Sequence, residues 1–290
     1  MTAPQFKKIV IFGVGLIGGS FALALRKANA VGEVVGFGRS AGNLQQARQL
    51  GIIDRIGEDV AKEVGDADLV LLATPVGQMA ELMARIAPHL GVHTLVTDGG
   101  STKSDVVRDA YAQLGGKVGQ FVPAHPIAGA EQSGAAAAGA ELYMGKKVIL
   151  TPLSENSQQA IARVQAAWEE CGANVHHLTH AEHDAVFAAV SHLPHLLSFA
   201  LVHDLAKRDN RDVLLSFAAS GFRDFTRIAA SSPEMWRDIC LANRDALLQE
   251  LQTYIAELNN LSGALAAGDA ARLEQTFRTA RELRAGWTEQ

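Results

Sequence analysis

The sequence predicts an α/β fold: a Rossmann-type, doubly wound N-terminal sheet followed by an all-α C-terminal domain. Three observations carry this. Up to about residue 153, short β-branched runs alternate with helical stretches, the texture of strand–helix–strand units. Several runs are apolar almost throughout, as strands buried on both faces of a parallel sheet are. Beyond about residue 178 the strand signal disappears, and apolar residues recur at helical spacing at Leu247, Leu248, Leu251, Ile255, Leu258 and Leu261.

The expected strands are 8–12, 33–37, 69–73, 94–98, 120–123 and 147–151. An Ala/Gly stretch at 135–140 reads as a loop or short helix, and 157–171 as one more helix of the first domain. Asp269 after Gly268 is the expected cap of the final helix. The boundary is placed near 178–182, giving an α/β domain over 1–178 and a helical domain over 179–290.

Composition excludes several classes. With 48% hydrophobic residues in 290, the chain buries a sizeable core and is not globally disordered. A net charge of -5 argues against nucleic acid, which wants a basic face. No uninterrupted apolar run looks long enough to cross a bilayer. The start, with Lys7 and Lys8 before an apolar run broken by glycines, reads as a first strand rather than a signal peptide. Two cysteines, Cys171 and Cys240, cannot build a disulfide framework, so a cytoplasmic home is expected. Seven of the ten histidines fall from His176 to His203. His176 and His180 have i,i+4 spacing, but no HExxH string accompanies them, so no metal is expected and these histidines read as solvated or capping.

The first strand runs into Gly13-Val14-Gly15-Leu16-Ile17-Gly18 and an apolar helix follows. In that context the glycines suit a tight turn, close approach to a pyrophosphate, and helix–strand packing. The helix N-terminus offers N–H groups to phosphate. An NAD site usually ends its second strand with an acid. Here that end reads Gly36-Phe37-Gly38-Arg39-Ser40, and Glu33 lies too early. Arg39 and Ser40 suit a 2′-phosphate, so NADP is the preferred cofactor, with NAD the alternative. Thr74 and Pro75, after another strand, are placed on the nicotinamide side.

Four further strings carry polar residues that packing does not explain: Asp98 to Lys103 (DGGSTK), His125 to Gly134 (HPIAGAEQSG), Ser191 to His195 (SHLPH), and Gly221 to Ala229, followed by Met235 and Trp236. In this order and spacing, from about residue 8 to 245, they resemble the prephenate and arogenate dehydrogenases of tyrosine biosynthesis. The resemblance implies oxidative decarboxylation of a cyclohexadienyl acid, with hydride passing to a nicotinamide. It implies His125 as the group that takes the hydroxyl proton, a task suited to a pKa near neutrality. Ser101 would orient, and Arg227 would grip a carboxylate through its planar fork. His195, turned toward the cleft by Pro194, with Glu131 and Trp236, would complete the substrate site. An acid at Glu131 favours the ammonium of arogenate.

The family's dimers, and apolar stripes too wide for a thin helical layer, point to a homodimer through the C-terminal helices. No nucleic acid or membrane partner is expected, and no appended regulatory domain. Two other readings compete. A β-hydroxyacid dehydrogenase would rely on a lysine in the helical half, where only Lys207 follows Lys147. A non-catalytic NADP-binding sensor would have no use for His125, Ser101 and Arg227 together.

Overall fold

The computed structural model describes residues 4–129 and 132–287. Its central sheet has six parallel strands in the order β3-β2-β1-β4-β5-β6. These are β1 (Phe6–Phe12), β2 (Val31–Phe37), β3 (Arg55–Ile56), β4 (Leu69–Leu72), β5 (Leu95–Asp98) and β6 (Phe121–Val122). That is the Rossmann order, with its topological switch between β1 and β4.

Side chains alternate across the sheet, and both faces are buried. Ile9, Ile11, Leu69 and Leu71 join one core, which is covered by α1 (Leu16–Lys27) and α6 (Gln158–Glu170) through Phe21, Leu25, Val164 and Trp168. Val10, Phe12, Val70 and Leu72 join the other, covered by α3 (Val60–Gly65), α4 (Met79–Ile86) and α5 (Ser104–Leu114). The remaining helix of this layer, α2 (Ala41–Gln49), contributes Leu44 and Ala47 to the first core.

A second, three-stranded sheet was not expected. It pairs β7 (Ala124–Pro126) antiparallel to β8 (Lys147–Leu150), and β8 parallel to β9 (Asn174–His177). The run expected as one strand at 120–123 therefore splits around Pro123, which has no N–H to give a ladder, and the chain changes sheets there. The last expected core strand, 147–151, belongs to this small sheet rather than the large one. The segment 135–140 holds only a 3-10 turn, Ala135–Ala137.

Helices follow. The Thr179 hydroxyl and the Glu182 carboxylate form a capping box that starts α7 (His180–Phe187). A π-helical turn, Ala188–His192, then leads into α8 (Leu193–Ala206), with Pro194 in its first turn. The helices α9 (Arg211–Ser216), α10 (Ser220–Thr226) and α11 (Pro233–Ala242) complete this unit. Pro194 lies just after the π-helical turn, inside one continuous helical stretch from His180 to Ala206, and the π geometry accommodates its missing N–H. The stretch His180–Ala206 has the length and a mean hydropathy (1.7) that suit a membrane crossing, contrary to the sequence reading. It nevertheless carries the buried polar residues His183, Asp184 and His192, hydrogen-bonded within the fold.

The chain divides into two compact units between Arg244 and Asp245. The second consists essentially of α12 (Arg244–Ala267) and α13 (Ala270–Gly286). Gly268 turns between them at φ +64°, and the Asp269 carboxylate accepts the Arg272 N–H as the cap anticipated from sequence.

Candidate active site

The glycine loop sits at the carboxyl end of β1. Gly13 has φ +96°, and a Cβ there would lie 2.4 Å from the Ala73 carbonyl oxygen. Gly18 packs so tightly that a Cβ would lie 2.2 Å from the Gly13 carbonyl oxygen. Gly15 faces open space instead. It begins α1 with no side chain capping the first turn, so the helix N–H groups face the cleft. This cleft of about 460 Å³ is lined by Gly15, Leu16, Ile17, Arg39, Thr74, Pro75 and Ser101, and also by Gly134, Ser231 and Met235. The Thr74 hydroxyl oxygen is buried with no hydrogen-bond partner among the described residues. A turn that only glycine permits, a bare helix N-terminus and an unused hydroxyl fit a dinucleotide.

The end of β2 carries no acid. Glu33 lies within the strand and accepts from the Arg55 guanidinium at 2.6 Å. Arg39 is exposed at the cleft and has no ion pair among the described residues. The Ser40 hydroxyl accepts the Asn43 N–H at 3.2 Å and caps α2.

Behind the cleft lies a buried polar network. The carboxylate of Asp98, at the end of β5, accepts the N–H groups of Gly100 (2.8 Å) and Ala124 (2.9 Å), and it pairs with the Lys103 ammonium. Both partners of the pair are fully buried, and the Ala124 N–H bond to Asp98 fastens the DGGSTK loop to the start of β7. Next in β7 stands His125. Its Nδ1 lies 2.8 Å from His183 Nε2, and His183 Nδ1 lies 2.8 Å from Asp184 Oδ1. Asp184 also accepts the N–H groups of Lys103 (2.9 Å) and Ser104 (2.7 Å). His125 therefore heads a relay ending on a buried carboxylate.

Charge states follow from these contacts. Burial pushes the Asp184 carboxyl up, but hydrogen bonds from His183 and Ser104 and the backbone N–H groups overcome it and hold the pKa near about 2. As an anion it only accepts, so His183 carries its hydrogen on Nδ1 and offers a lone pair at Nε2. His125 then donates from Nδ1, which leaves its Nε2 lone pair available. Burial first, then repulsion from the Lys103 ammonium and from any proton on His183 or His192, hold the His125 pKa well below the usual histidine value. The ring is neutral at physiological pH.

His192 is buried, and burial lowers its pKa to about 4. The His195 ring stacks on Trp236 at 3.7 Å, and its Nδ1–H donates to the Ser191 carbonyl at 2.9 Å. Arg227 opens a 3-10 turn after α10, near enough for its charge to depress the His195 pKa, although burial is the larger cause. The structure thus brings Ser101, Thr74, Pro75 and the glycine loop around one cleft. It joins His125 to the network behind and places Arg227 near the His195–Trp236 pair. The Nδ1 of His125 goes to His183, not to Ser101. Glu131 lies outside the described residues.

The histidine-rich segment needs a correction. His183 and His192 are buried network members, not solvated or capping groups. His176 is in β9 and His180 opens α7, so they share no helix face. Among the described residues, no cluster of metal-ligating side chains occurs. Sequence reasoning missed His183, Asp184 and Asn243, and named Lys103 only as the end of the DGGSTK string. The adjacent His183–Asp184 pair was the one visible signal.

A Rossmann sheet, a glycine cradle and a neutral histidine at the strand ends define an NAD(P)-dependent dehydrogenase. The family follows from comparison. Residues 21–177 match the prephenate dehydrogenase nucleotide-binding domain, and residues 179–279 match the prephenate dehydrogenase dimerization domain. A cyclohexadienyl dehydrogenase of Zymomonas mobilis is 37% identical over 96% of this chain and 95% of its own length. A prephenate dehydrogenase of Bacillus subtilis is 38% identical over 96% of this chain and 75% of its own. The solved structure of Aquifex aeolicus prephenate dehydrogenase with hydroxyphenyl propionate and NAD+ superposes with a TM-score of 0.90 at 35% identity, covering 96% of this chain and 97% of that one. The arogenate dehydrogenase of Synechocystis gives 0.81 at 28%, covering 97% and 100%. The chain belongs to the prephenate dehydrogenase family of tyrosine biosynthesis.

Proposed function

We propose that this enzyme oxidatively decarboxylates arogenate, alongside prephenate, with NADP as the preferred acceptor. The observation that carries the reaction is the Asp184–His183–His125 relay, which leaves a lone pair at His125 Nε2. A bound nicotinamide supplies the chemistry of hydride acceptance, taking two electrons and a hydrogen from the carbinol carbon. His125 Nε2 accepts the hydroxyl proton, and the positive charge it gains is spread toward Asp184 through His183. The ring carboxylate leaves as carbon dioxide. Its bonding electrons enter the ring, which becomes aromatic. The ring oxygen, now a phenolate, takes the proton back from His125, so no net proton is consumed.

Ser101 orients the reacting groups at the cleft. Arg227 holds a substrate carboxylate through a paired, charge-assisted contact. Trp236 fixes the His195 ring. Because His195 donates from Nδ1 to Ser191, its Nε2 is an acceptor. That suits the ammonium of arogenate, and Glu131 adds to this preference on its sequence match.

For the cofactor, Arg39 and the α2 N-terminus capped by Ser40 support a 2′-phosphate, while Glu33 is engaged by Arg55. We keep 1–178 and 179–290 as the functional division. We also propose a homodimer through the C-terminal helices. Large exposed apolar side chains there, such as Leu265 (67% exposed) and Phe277 (60%), support it. Two unpaired cysteines support a reducing, cytoplasmic setting.

The test is reduced-cofactor formation with arogenate or prephenate, each against NADP and NAD. Turnover greatest with NADP and arogenate is expected. Turnover greatest with NAD and prephenate overturns both preferences while keeping the reaction, and no turnover in any pairing overturns the reaction itself.

A further inference from the structure

We propose that Asn243 is a positioning residue for the dehydrogenase reaction. It locks His192 in the Nε2–H tautomer and braces the backbone of the His183–Asp184 pair. The inference rests on the catalytic reading of His125 and Ser101, and it adds a group remote from both in sequence.

Asn243 caps the C-terminus of α11 and is buried. Its Nδ2 lies 2.8 Å from the Asp184 carbonyl oxygen and 3.1 Å from His192 Nδ1. A backbone carbonyl can only accept, so the amide must turn its nitrogen toward Asp184. That fixes the side chain's orientation independently of the histidine. The second amide hydrogen then points at His192 Nδ1, which must present a lone pair. The His192 hydrogen is left on Nε2, and the Ser101 backbone is near enough to act on the ring.

One amide therefore joins the Asp184 backbone to the His192 ring. Through Asp184 it steadies α7, whose carboxylate orients His183 and hence His125. Through His192 it fixes a ring that stands beside the Ser101 backbone. The π-helical turn Ala188–His192 delivers the ring to this place. The charged and titratable groups facing His192 are Asp184 and His183 from α7 and His195 from α8. Trp236 of α11 approaches edge-on, with 6.1 Å between ring centroids. None of these competes for Nδ1, so Asn243 alone among the described residues sets the tautomer there.

Asn243→Asp keeps the shape and removes both donors. A carboxylate facing His192 Nδ1 can be satisfied only if that nitrogen gains a hydrogen. Nitrogen NMR of the full chain labelled with [15N]histidine reads this directly, with His192→Gln assigning the signals. The wild-type protein is expected to show the neutral Nε2–H form of His192, and N243D the Nδ1-protonated ring. In N243D, kcat should fall about 10- to 100-fold at an unchanged cofactor KM, and its pH profile should gain an ionisation that the wild type lacks, as expected when an interaction made only in the transition state is lost.

A wild-type His192 that is cationic, or that carries its hydrogen on Nδ1, overturns the proposal whether or not the variant folds. So does a folded N243D with kcat within twofold of wild type and an unaltered pH profile. Failure of the wild type to turn over any cyclohexadienyl substrate strikes the functional reading instead, and leaves the tautomer result standing.

Discussion

Replacing His183 with Phe removes the middle of the relay and keeps its ring. The native ring packs 4.5 Å from Phe187 and 5.0 Å from His125, centroid to centroid, so a phenyl ring fills the same volume. Two hydrogen bonds of 2.8 Å disappear. Asp184 keeps its two backbone donors, the N–H groups of Lys103 and Ser104. His125 loses the acceptor for its Nδ1–H, and with it the lock on its tautomer. The loss is greatest when His125 becomes cationic, because a hydrogen bond to a charged group is worth about 1.5–3 kcal/mol. At about 1.36 kcal/mol per factor of ten, kcat should fall about 10- to 150-fold. Cofactor affinity should not change, since His183 does not line the cleft. The assay is initial-rate formation of reduced cofactor at saturating substrates, with a thermal melt to confirm folding. A folded His183→Phe enzyme with kcat within twofold of wild type would refute the relay.

Other outcomes follow from the same contacts. Because the His125 pKa is depressed, its basic form persists below the usual 6.5, so the acid limb of kcat should lie below that pH; a limb at or above it would contradict the assignment. Buried His183 and His192 also have lowered pKa values, so below pH 6.5 the unfolded chain binds more protons than the folded one. Stability should therefore be full above that pH and fall with acidification by about 1.4 kcal/mol per pH unit for each histidine. For His192 the fall should continue to about pH 4, as denaturant melts across that range would show. Arg39→Ala should lower kcat/KM for NADP about 10- to 150-fold, the worth of a charged hydrogen bond, while leaving NAD unchanged. An unaltered NADP/NAD ratio would remove Arg39 from the cofactor site.

Much of this was legible in the sequence because it is local. The β1–glycine loop–α1 unit is contiguous, and its apolar runs sit on both faces of one sheet. The six expected runs all hold strand. What was missed is short or tertiary. At two residues, β3 leaves no periodic pattern, and β9 is largely exposed. Pro123 was read as a strand end, when it divides two sheets.

The site shows the same split. Ser101, His125, His195, Arg227 and Trp236 stand in recognisable strings. His183, Asp184 and Asn243 take their meaning from burial and from partners far away, 58 residues in the case of His125 and His183. The carboxyl ends of the strands and the helices α7 and α11 must meet before those side chains can act.

His125 is the proposed base at the centre of the reaction. His125→Asn, assayed for kcat and, separately, for cofactor dissociation, isolates that role. Loss of kcat by about 10²- to 10⁴-fold, the usual worth of a general base, with cofactor binding intact, is the predicted result. A folded variant that keeps more than a tenth of wild-type kcat would contradict it.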